Sequence, residues 1–377
     1  MIKKKVCVDI NSIVPLYAFG YLSGIGRTTL ELLEAMAEIK DELPFDLILY
    51  TQNLRGVKGR NFGLPFLCSH VYLRNKARFN WFVGDLRLRE LLTGYDLMHF
   101  PGNFGYTSRP QKTVITMHDA MFFSYPEDFL GHDFARRNYP GLALSCAGIA
   151  TCSQSSKRDI VEYIGVPEEK ITVIPWGVSP KNFYPEANSE IVSQTLSRHG
   201  IARPYFMMAS CDLGRKNTEL LMRNFRRYVK QGGGYDLALV WSRCPDRIKE
   251  EYREEIDKKR IHLLGGLSDA DLRTIYSAAE ASFFPSRYEG FGLPILESLA
   301  CGTPVVTCRN SSLEEVGGDV ALYVSADSET EMADMMTRFE QGNIDKPALR
   351  RQALLHASRF TWEKAAHEYA RFYQQFL

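Results

Sequence analysis

At 377 residues the chain is longer than the roughly 250–300 residues at which one hydrophobic core stops growing, so two domains are expected. Its 45% hydrophobic and 24% charged content is that of a globular protein, and a formal charge of +1 gives no reason to expect nucleic acid as a partner. No run of about 18 apolar residues is present to span a membrane. The eight cysteines (Cys7, Cys68, Cys146, Cys152, Cys211, Cys244, Cys301 and Cys308) show neither a CxxC pair nor zinc-like spacing, which favours a reducing cytoplasm.

In chain order, Met1–Ile10 begins like the basic end of a signal peptide, but Asp9 and Asn11 interrupt the apolar stretch, so a buried strand is expected at Val6–Ile10. Helical spacing of Leu30, Leu33 and Ala37 marks a helix over Arg27–Lys40. Further strands are expected at Phe45–Tyr50, Leu97–Phe100, Thr113–Met117, Gly148–Cys152 and Ile171–Ile174, with a helix at Ser156–Tyr163. A Pro/Gly/Asn-rich stretch near Trp176–Pro185 reads as a linker. A second series of strands follows at Tyr205–Ala209, Leu237–Trp241, His262–Leu264, Ala281–Pro285, Val305–Thr307 and Ala321–Val324, with helices between. Strands alternating with helices predict an α/β fold of two doubly wound, Rossmann-like parallel-sheet domains, residues 1–187 and 188–360, with a ligand cleft between them.

Several short constellations carry chemistry. The run Ser286–Val306 holds Glu289 beside Gly290 and Gly292, with Pro294 at the expected first helical position and Glu297 on the helix that follows. Glycines let a ligand approach the backbone, and a helix N-terminus attracts anions, so two carboxylates there suit a ligand both anionic and hydroxyl-rich, such as a sugar nucleotide. Taken alone, the two glutamates also fit a glycosidase acid–base pair. Ser23-Gly24-Ile25-Gly26-Arg27 is either a phosphate loop or a tight turn; with Thr29 at the third glycine position it fails the dinucleotide fingerprint, which argues against a nicotinamide-dependent dehydrogenase. Gly214-Arg215-Lys216-Asn217 reads as a diphosphate clamp whose helix Asn217 caps, or as a solvated basic turn. His118-Asp119, after a strand, is either a ligand contact or a core and capping pair.

Asp269 and Asp271 superficially resemble a metal-binding pair, but after Ser268 they fit the first turn of a helix, so no metal or other cofactor is expected. Residues 55–90 carry eight arginines and lysines against Asp85 and Glu90, interleaved with Phe62, Phe66, Phe79, Trp81 and Phe82. The segment is either a patch for an anionic membrane surface or an amphipathic surface segment.

Together, the Ser-Gly-Ile-Gly-Arg run, Thr116-Met117-His118-Asp119 through Tyr125-Pro126-Glu127, Ile171–Val178, Arg215-Lys216-Asn217 and the Glu-x7-Glu pair resemble the retaining GT-B glycosyltransferases of family 4. The resemblance implies that the donor is a nucleotide sugar, a substrate rather than a cofactor. Glu297 would hold its ribose, and Glu289 its transferred sugar. The backbone of Gly290, Phe291, Gly292 and Leu293 would hold sugar hydroxyls and the β-phosphate. Lys216 and Arg215 would neutralise the departing diphosphate, Gly24 and Gly26 would close on it from the other domain, and His118 would lie against the donor sugar. Residues 361–377 resemble the family's C-terminal helix that returns to the first domain. Ser210 and Cys211 depart from the Gly-Arg pair common in relatives. The shorter motifs look most like bacterial mannosyltransferases of surface-polysaccharide assembly, which favours GDP-mannose over UDP-glucose, UDP-N-acetylglucosamine or dTDP-rhamnose. The base would be read near Leu264–Leu267. A glycan or polyprenyl-diphosphate-linked acceptor follows from the same resemblance, as does a cytoplasmic protein peripheral to the membrane. A non-catalytic sugar-nucleotide-binding relative is disfavoured by the presence of Glu289, Glu297 and Lys216.

Overall fold

The structure, a computed structural model, describes residues 3–51, 62–69 and 94–377. The basic aromatic segment at 55–90 lies mostly outside the described residues; Phe62 and Phe66 are described, and both are buried.

Alternation decides how the first sheet is covered. In β1 (Lys4–Asp9), Val6 and Val8 point to one face and Cys7 to the other, as the two-residue period of a strand requires. On the first face, Val6 and Val8 join Leu32, Leu33 and Met36 of the helix Gly24–Glu38, together with Ala366, Tyr369 and Tyr373 of the helix Trp362–Gln374. On the second, Cys7 packs with Met98, Ile115, Phe122 and Ile149. Burial on both faces is why the strands read as nearly continuous apolar runs.

The other strands of this sheet are β2 (Phe45–Tyr50), β3 (Leu67–Ser69), β4 (Leu97–Phe100), β5 (Thr113–Thr116), β6 (Gly148–Thr151) and β7 (Ile171–Val173). Their spatial order is β3-β2-β1-β4-β5-β6-β7, and each pair is parallel. The second sheet holds β8 (Tyr205–Met208), β9 (Asp236–Val240), β10 (Ile261–Leu264), β11 (Ala281–Phe284), β12 (Val305–Thr307) and β13 (Leu322–Tyr323). Its order is β10-β9-β8-β11-β12-β13, again parallel. Each sheet starts in its middle, winds outward and then returns to the other side of its first strand. Ligands of such sheets bind beyond the carboxyl ends of the strands where the direction reverses. In the second sheet that point lies between β8 and β11.

The chain forms two compact units, residues 1–177 with 361–377, and residues 178–360. The division falls after Gly177 rather than at the expected 187. Residues 178–187 pack on the second unit: the rings of Phe183 and Tyr276 lie 6.3 Å apart, Glu186 pairs with Arg273 at 3.0 Å, and the Glu186 N–H donates to Ser277 Oγ at 3.0 Å. In the first unit, a Cβ at Gly177 would run into the backbone of Thr361 and Trp362, which explains a glycine in the Pro-Trp-Gly run. Among the described residues no helix is long and apolar enough to cross a membrane.

Candidate active site

In the second unit the loops after β8 and β11 carry the candidate charges. After β8, Ser210 takes a left-handed φ of 56°, a conformation that favours glycine. Cys211 turns inward, where its Sγ donates to Met208 O at 3.2 Å and burial pushes its thiol pKa well up. It is therefore a core residue, and the nearby positive charge comes from the next turn. Gly214–Lys216 forms a short 3-10 turn that presents Arg215 and Lys216. Asn217 follows at φ 59° in the cap position of the helix Thr218–Lys230, but its side chain does not cap it, contrary to expectation. Its Nδ2 instead donates to Pro285 O at 3.1 Å and Ala326 O at 2.8 Å, tying the turn to the loop after β11.

That second loop closes on the first through the Arg215 carbonyl, which accepts from Arg287 N at 2.7 Å and Ser286 Oγ at 3.0 Å. The side chains then converge on one atom. Glu289 Oε1 receives Lys216 Nζ at 2.7 Å, Arg215 Nη1 at 2.9 Å and Ser286 Oγ at 2.8 Å. Arg215 Nη1 also donates to Tyr288 O at 2.8 Å, and Lys216 Nζ lies 4.9 Å from the centre of the Phe284 ring. Burial raises the Glu289 carboxyl, but the Lys216 and Arg215 charges and the hydrogen bonds from Lys216 and Ser286 more than reverse this, leaving its pKa below the ordinary value. Ser311 Oγ accepts from Glu289 N at 3.1 Å, and Ser312 Oγ donates to Phe291 O at 2.7 Å, fixing the backbone through Gly290.

The helix Leu293–Ala300 begins here. Gly292 occupies its N-cap at φ 108°, where an added Cβ would also come within 3.2 Å of Leu313 Cδ2. Leu293 is the first helical residue, so Pro294 sits second rather than first; a missing N–H is tolerated throughout the first turn. Half-buried Glu297 lies one turn further on, and its Oε2 accepts from Tyr276 OH at 3.2 Å. Ser286, Ser311, Ser312 and Tyr276 were not singled out in the sequence. Only the three-residue spacing of Ser286 from Glu289 hinted at contact.

The remaining second-unit expectations fall as follows. Residues Leu264–Leu267 leave the carboxyl end of the edge strand β10 through Gly266 at φ 65°. Asp271 pairs with Arg198 at 3.1 Å and His199 at 3.3 Å, while its N–H is capped by Ser268 Oγ at 3.1 Å. That pairing fits a helix start, and among the described residues no cluster of His, Cys, Asp and Glu has the makings of a metal site. A cavity of about 750 Å³ lies at the amino ends of the strands, ringed by Arg203, Arg226 and Arg260. Arg226 there binds Glu255 and Arg260 binds Asp236, which leaves this cavity apart from the carboxyl-end charges.

In the first unit, Ser23 caps the helix that starts at Gly24, accepting from Gly26 N at 3.1 Å. Gly24 and Gly26 thus occupy a helical turn rather than a loop, and they differ. A Cβ on exposed Gly24 meets nothing within 4 Å, whereas one on buried Gly26 would lie 2.5 Å from Ser12 O and 2.8 Å from Leu22 Cδ1. His118 follows β5 and is buried. Its N–H donates to Asn103 Oδ1 at 2.7 Å, its carbonyl accepts from Ser156 Oγ at 2.9 Å, and its Nε2 bonds Pro101 O at 3.2 Å. Burial pushes its pKa down to about 4, so the ring is neutral at pH 7. Asp119 Oδ1 accepts from Met121 N at 3.0 Å, a local turn contact.

Residues 22–182 match the family described as Glycosyltransferase Family 4, and residues 205–341 match Glycosyl transferases group 1. The chain is a glycosyltransferase with a family 4 domain followed by a group 1 domain. This glycosyltransferase is 27% identical over 376 residues to O-antigen chain mannosyltransferase B of Escherichia coli, covering 91% of the chain and 93% of the relative. Among solved structures, a glycosyltransferase from Rickettsia africae superposes with a TM-score of 0.75 at 16% identity, over 99% of this chain and 98% of that one. The Anabaena protein HepE, solved in complex with UDP-glucose, superposes with a TM-score of 0.72 at 17% identity, over 98% of this chain and 99% of that one. The two units are those of a GT-B fold.

Proposed function

We propose that this glycosyltransferase moves mannose from GDP-mannose to a hydroxyl of a growing surface glycan, lipid-linked through a polyprenyl diphosphate, with retention at the anomeric carbon. The sugar and pathway are supported by the mannosyltransferase relative that matches nearly the whole chain. The chemistry is supported by one observation above all: Lys216 and Arg215 are held together on Glu289 at the switch point of the second sheet.

As the glycosidic bond to phosphate breaks, positive charge grows on the sugar carbon and negative charge on the leaving phosphate oxygen. Cations fixed in advance stabilise that oxygen more in the transition state than before it. Glu289, kept ionised by the same cations, is a weak base suited to accepting hydrogen bonds from sugar hydroxyls, and Glu297 takes the ribose. The incoming hydroxyl attacks from the face the phosphate leaves, and its proton passes to that phosphate. His118 is neutral at pH 7, so it serves as a hydrogen-bonding wall rather than an acid. The acceptor belongs to the first unit, with a membrane-facing role for residues 55–90. No metal takes part.

The test is incubation with GDP-mannose, UDP-glucose, UDP-N-acetylglucosamine and dTDP-rhamnose, with and without EDTA, reading the anomeric proton of the product by NMR. GDP-mannose turnover with an α product that survives EDTA is expected. Preference for another donor, inversion, or loss restored by magnesium would each refute the corresponding part.

A further inference from the structure

Among the buried polar atoms of the first unit that have no hydrogen-bond partner among the described residues are His118 Nδ1 and Trp362 Nε1. Both residues line the same small internal cavity, of about 10 Å³, together with Thr116, Trp176 and Tyr369. One atom is a donor and the other an acceptor. An indole N–H can only donate. His118 Nε2 faces the Pro101 carbonyl, which can only accept, so Nε2 carries the proton; in a neutral ring Nδ1 then bears the lone pair. The low pKa of about 4 caused by burial agrees with a neutral ring.

We propose that a single buried water molecule sits in this cavity, accepting from the Trp362 indole and donating to His118 Nδ1. The volume is at the lower limit for one water, roughly 10–15 Å³, and the site supplies the two or more polar partners such a water needs. Left unpaired, each buried group would have given up its hydration with nothing in return.

The water would lie beside a polar chain whose Thr116 and Tyr369 line the same cavity. Tyr373 OH bonds His99 Nδ1 at 2.7 Å, His99 Nε2 bonds Thr116 Oγ1 at 2.8 Å, and Thr116 Oγ1 bonds Tyr369 OH at 2.9 Å. Trp362, Tyr369 and Tyr373 all belong to the helix Trp362–Gln374, at spacings of seven and four that share one face. Through the water, Trp362 of the C-terminal helix fixes the tautomer and ring orientation of His118. Trp362 is thus a positioning residue: it acts on His118 through the water.

A crystal structure of the unmodified protein at a resolution that shows ordered solvent should reveal one water within hydrogen-bond distance of both atoms. A cavity without solvent density, or either atom bonded directly to protein, would overturn the proposal. Trp362→Phe should shift the ¹⁵N resonances of the His118 ring toward mixed tautomers and lower kcat by about tenfold with an unchanged donor KM, as loss of one buried hydrogen bond predicts. Unchanged His118 resonances in a folded Trp362→Phe protein would also overturn it. The solvent density is read without substrate, so this result stands or falls separately from the proposed mannosyl transfer.

Discussion

Lys216 Nζ lies 2.7 Å from Glu289 Oε1, so the cation assigned to the leaving diphosphate is already neutralising the carboxylate assigned to the sugar. The two roles are therefore coupled. A phosphate arriving beside Lys216 and Arg215 must share them with Glu289, and whatever weakens Glu289 frees charge for the phosphate.

Glu289→Gln is accordingly expected to slow transfer while tightening binding of the free nucleoside diphosphate. The gain should be about tenfold, well below the roughly 4 kcal/mol of two bare charges 4 Å apart at an effective dielectric of 20. Calorimetric titration measures it, and weaker binding would show that the carboxylate does not compete with phosphate.

Lys216→Ala should lower kcat by about 100–1,000-fold, the roughly 3–4 kcal/mol that one preorganised donor contributes to a developing anion. Affinity for the free nucleoside should hardly change. Equal losses in both would remove the leaving-group role. The variant should also melt at lower temperature, because among the described residues Glu289 would keep Arg215 and Ser286 but lose its nearest cation.

Tyr276→Phe deletes the 3.2 Å hydrogen bond to Glu297 and the longer one, 3.4 Å, to Pro294 O. Donor KM should rise about fivefold, matching roughly 1 kcal/mol for one hydrogen bond, with kcat preserved. A fall in kcat alone would place Glu297 in the chemistry rather than in ribose binding.

The two glycines of the first unit separate packing from function. Gly26→Ala forces a methyl against Ser12 O and Leu22 and should cost about 1–3 kcal/mol of stability by urea unfolding. Gly24→Ala meets nothing, so it should fold normally and reveal any close ligand approach as a loss of activity alone.

Acid should act on the first unit through its buried histidines. His118 and His99 are held neutral, with pKa values pushed by burial from 6.5 to about 4 and about 3. The unfolded chain binds their protons first, so their contribution to stability is complete above pH 6.5 and shrinks as pH falls toward 4. Asp9 opposes this: burial raises its carboxyl to about 7, against hydrogen bonds from Asn11, so it gains stability over part of the same range. The clean measurement is the difference in urea midpoint between wild type and His118→Gln at pH 7.5 and pH 5. The difference should narrow at pH 5, and a constant difference would contradict a neutral His118.

The strands were legible because burial on both faces leaves little but apolar residues in them, and most expected bounds fall within a residue or two of those observed. The short β3 escaped notice: its three residues begin with a largely exposed leucine, so no apolar run marks it. Asn217 misled because its side chain suits a cap, while its backbone is left-handed and its amide is spent on carbonyls far along the chain. The Glu-x7-Glu pair could be read from spacing. The Lys216–Glu289 contact could not, since it joins loops from two strands that only the sheet order makes neighbours.

The return of residues 361–377 to the first unit has a consequence for the order of assembly. Trp362, Ala365, Ala366, Tyr369, Phe372 and Tyr373 share one core with Val6, Val8, Leu97 and Val114. Synthesis runs from the N-terminus, and domains generally fold as units while it proceeds. Residues 178–360 are contiguous and complete on emergence, whereas β1, β4 and β5 wait with one apolar face partly uncovered until the last helix is made. The half of the protein begun first is the half finished last.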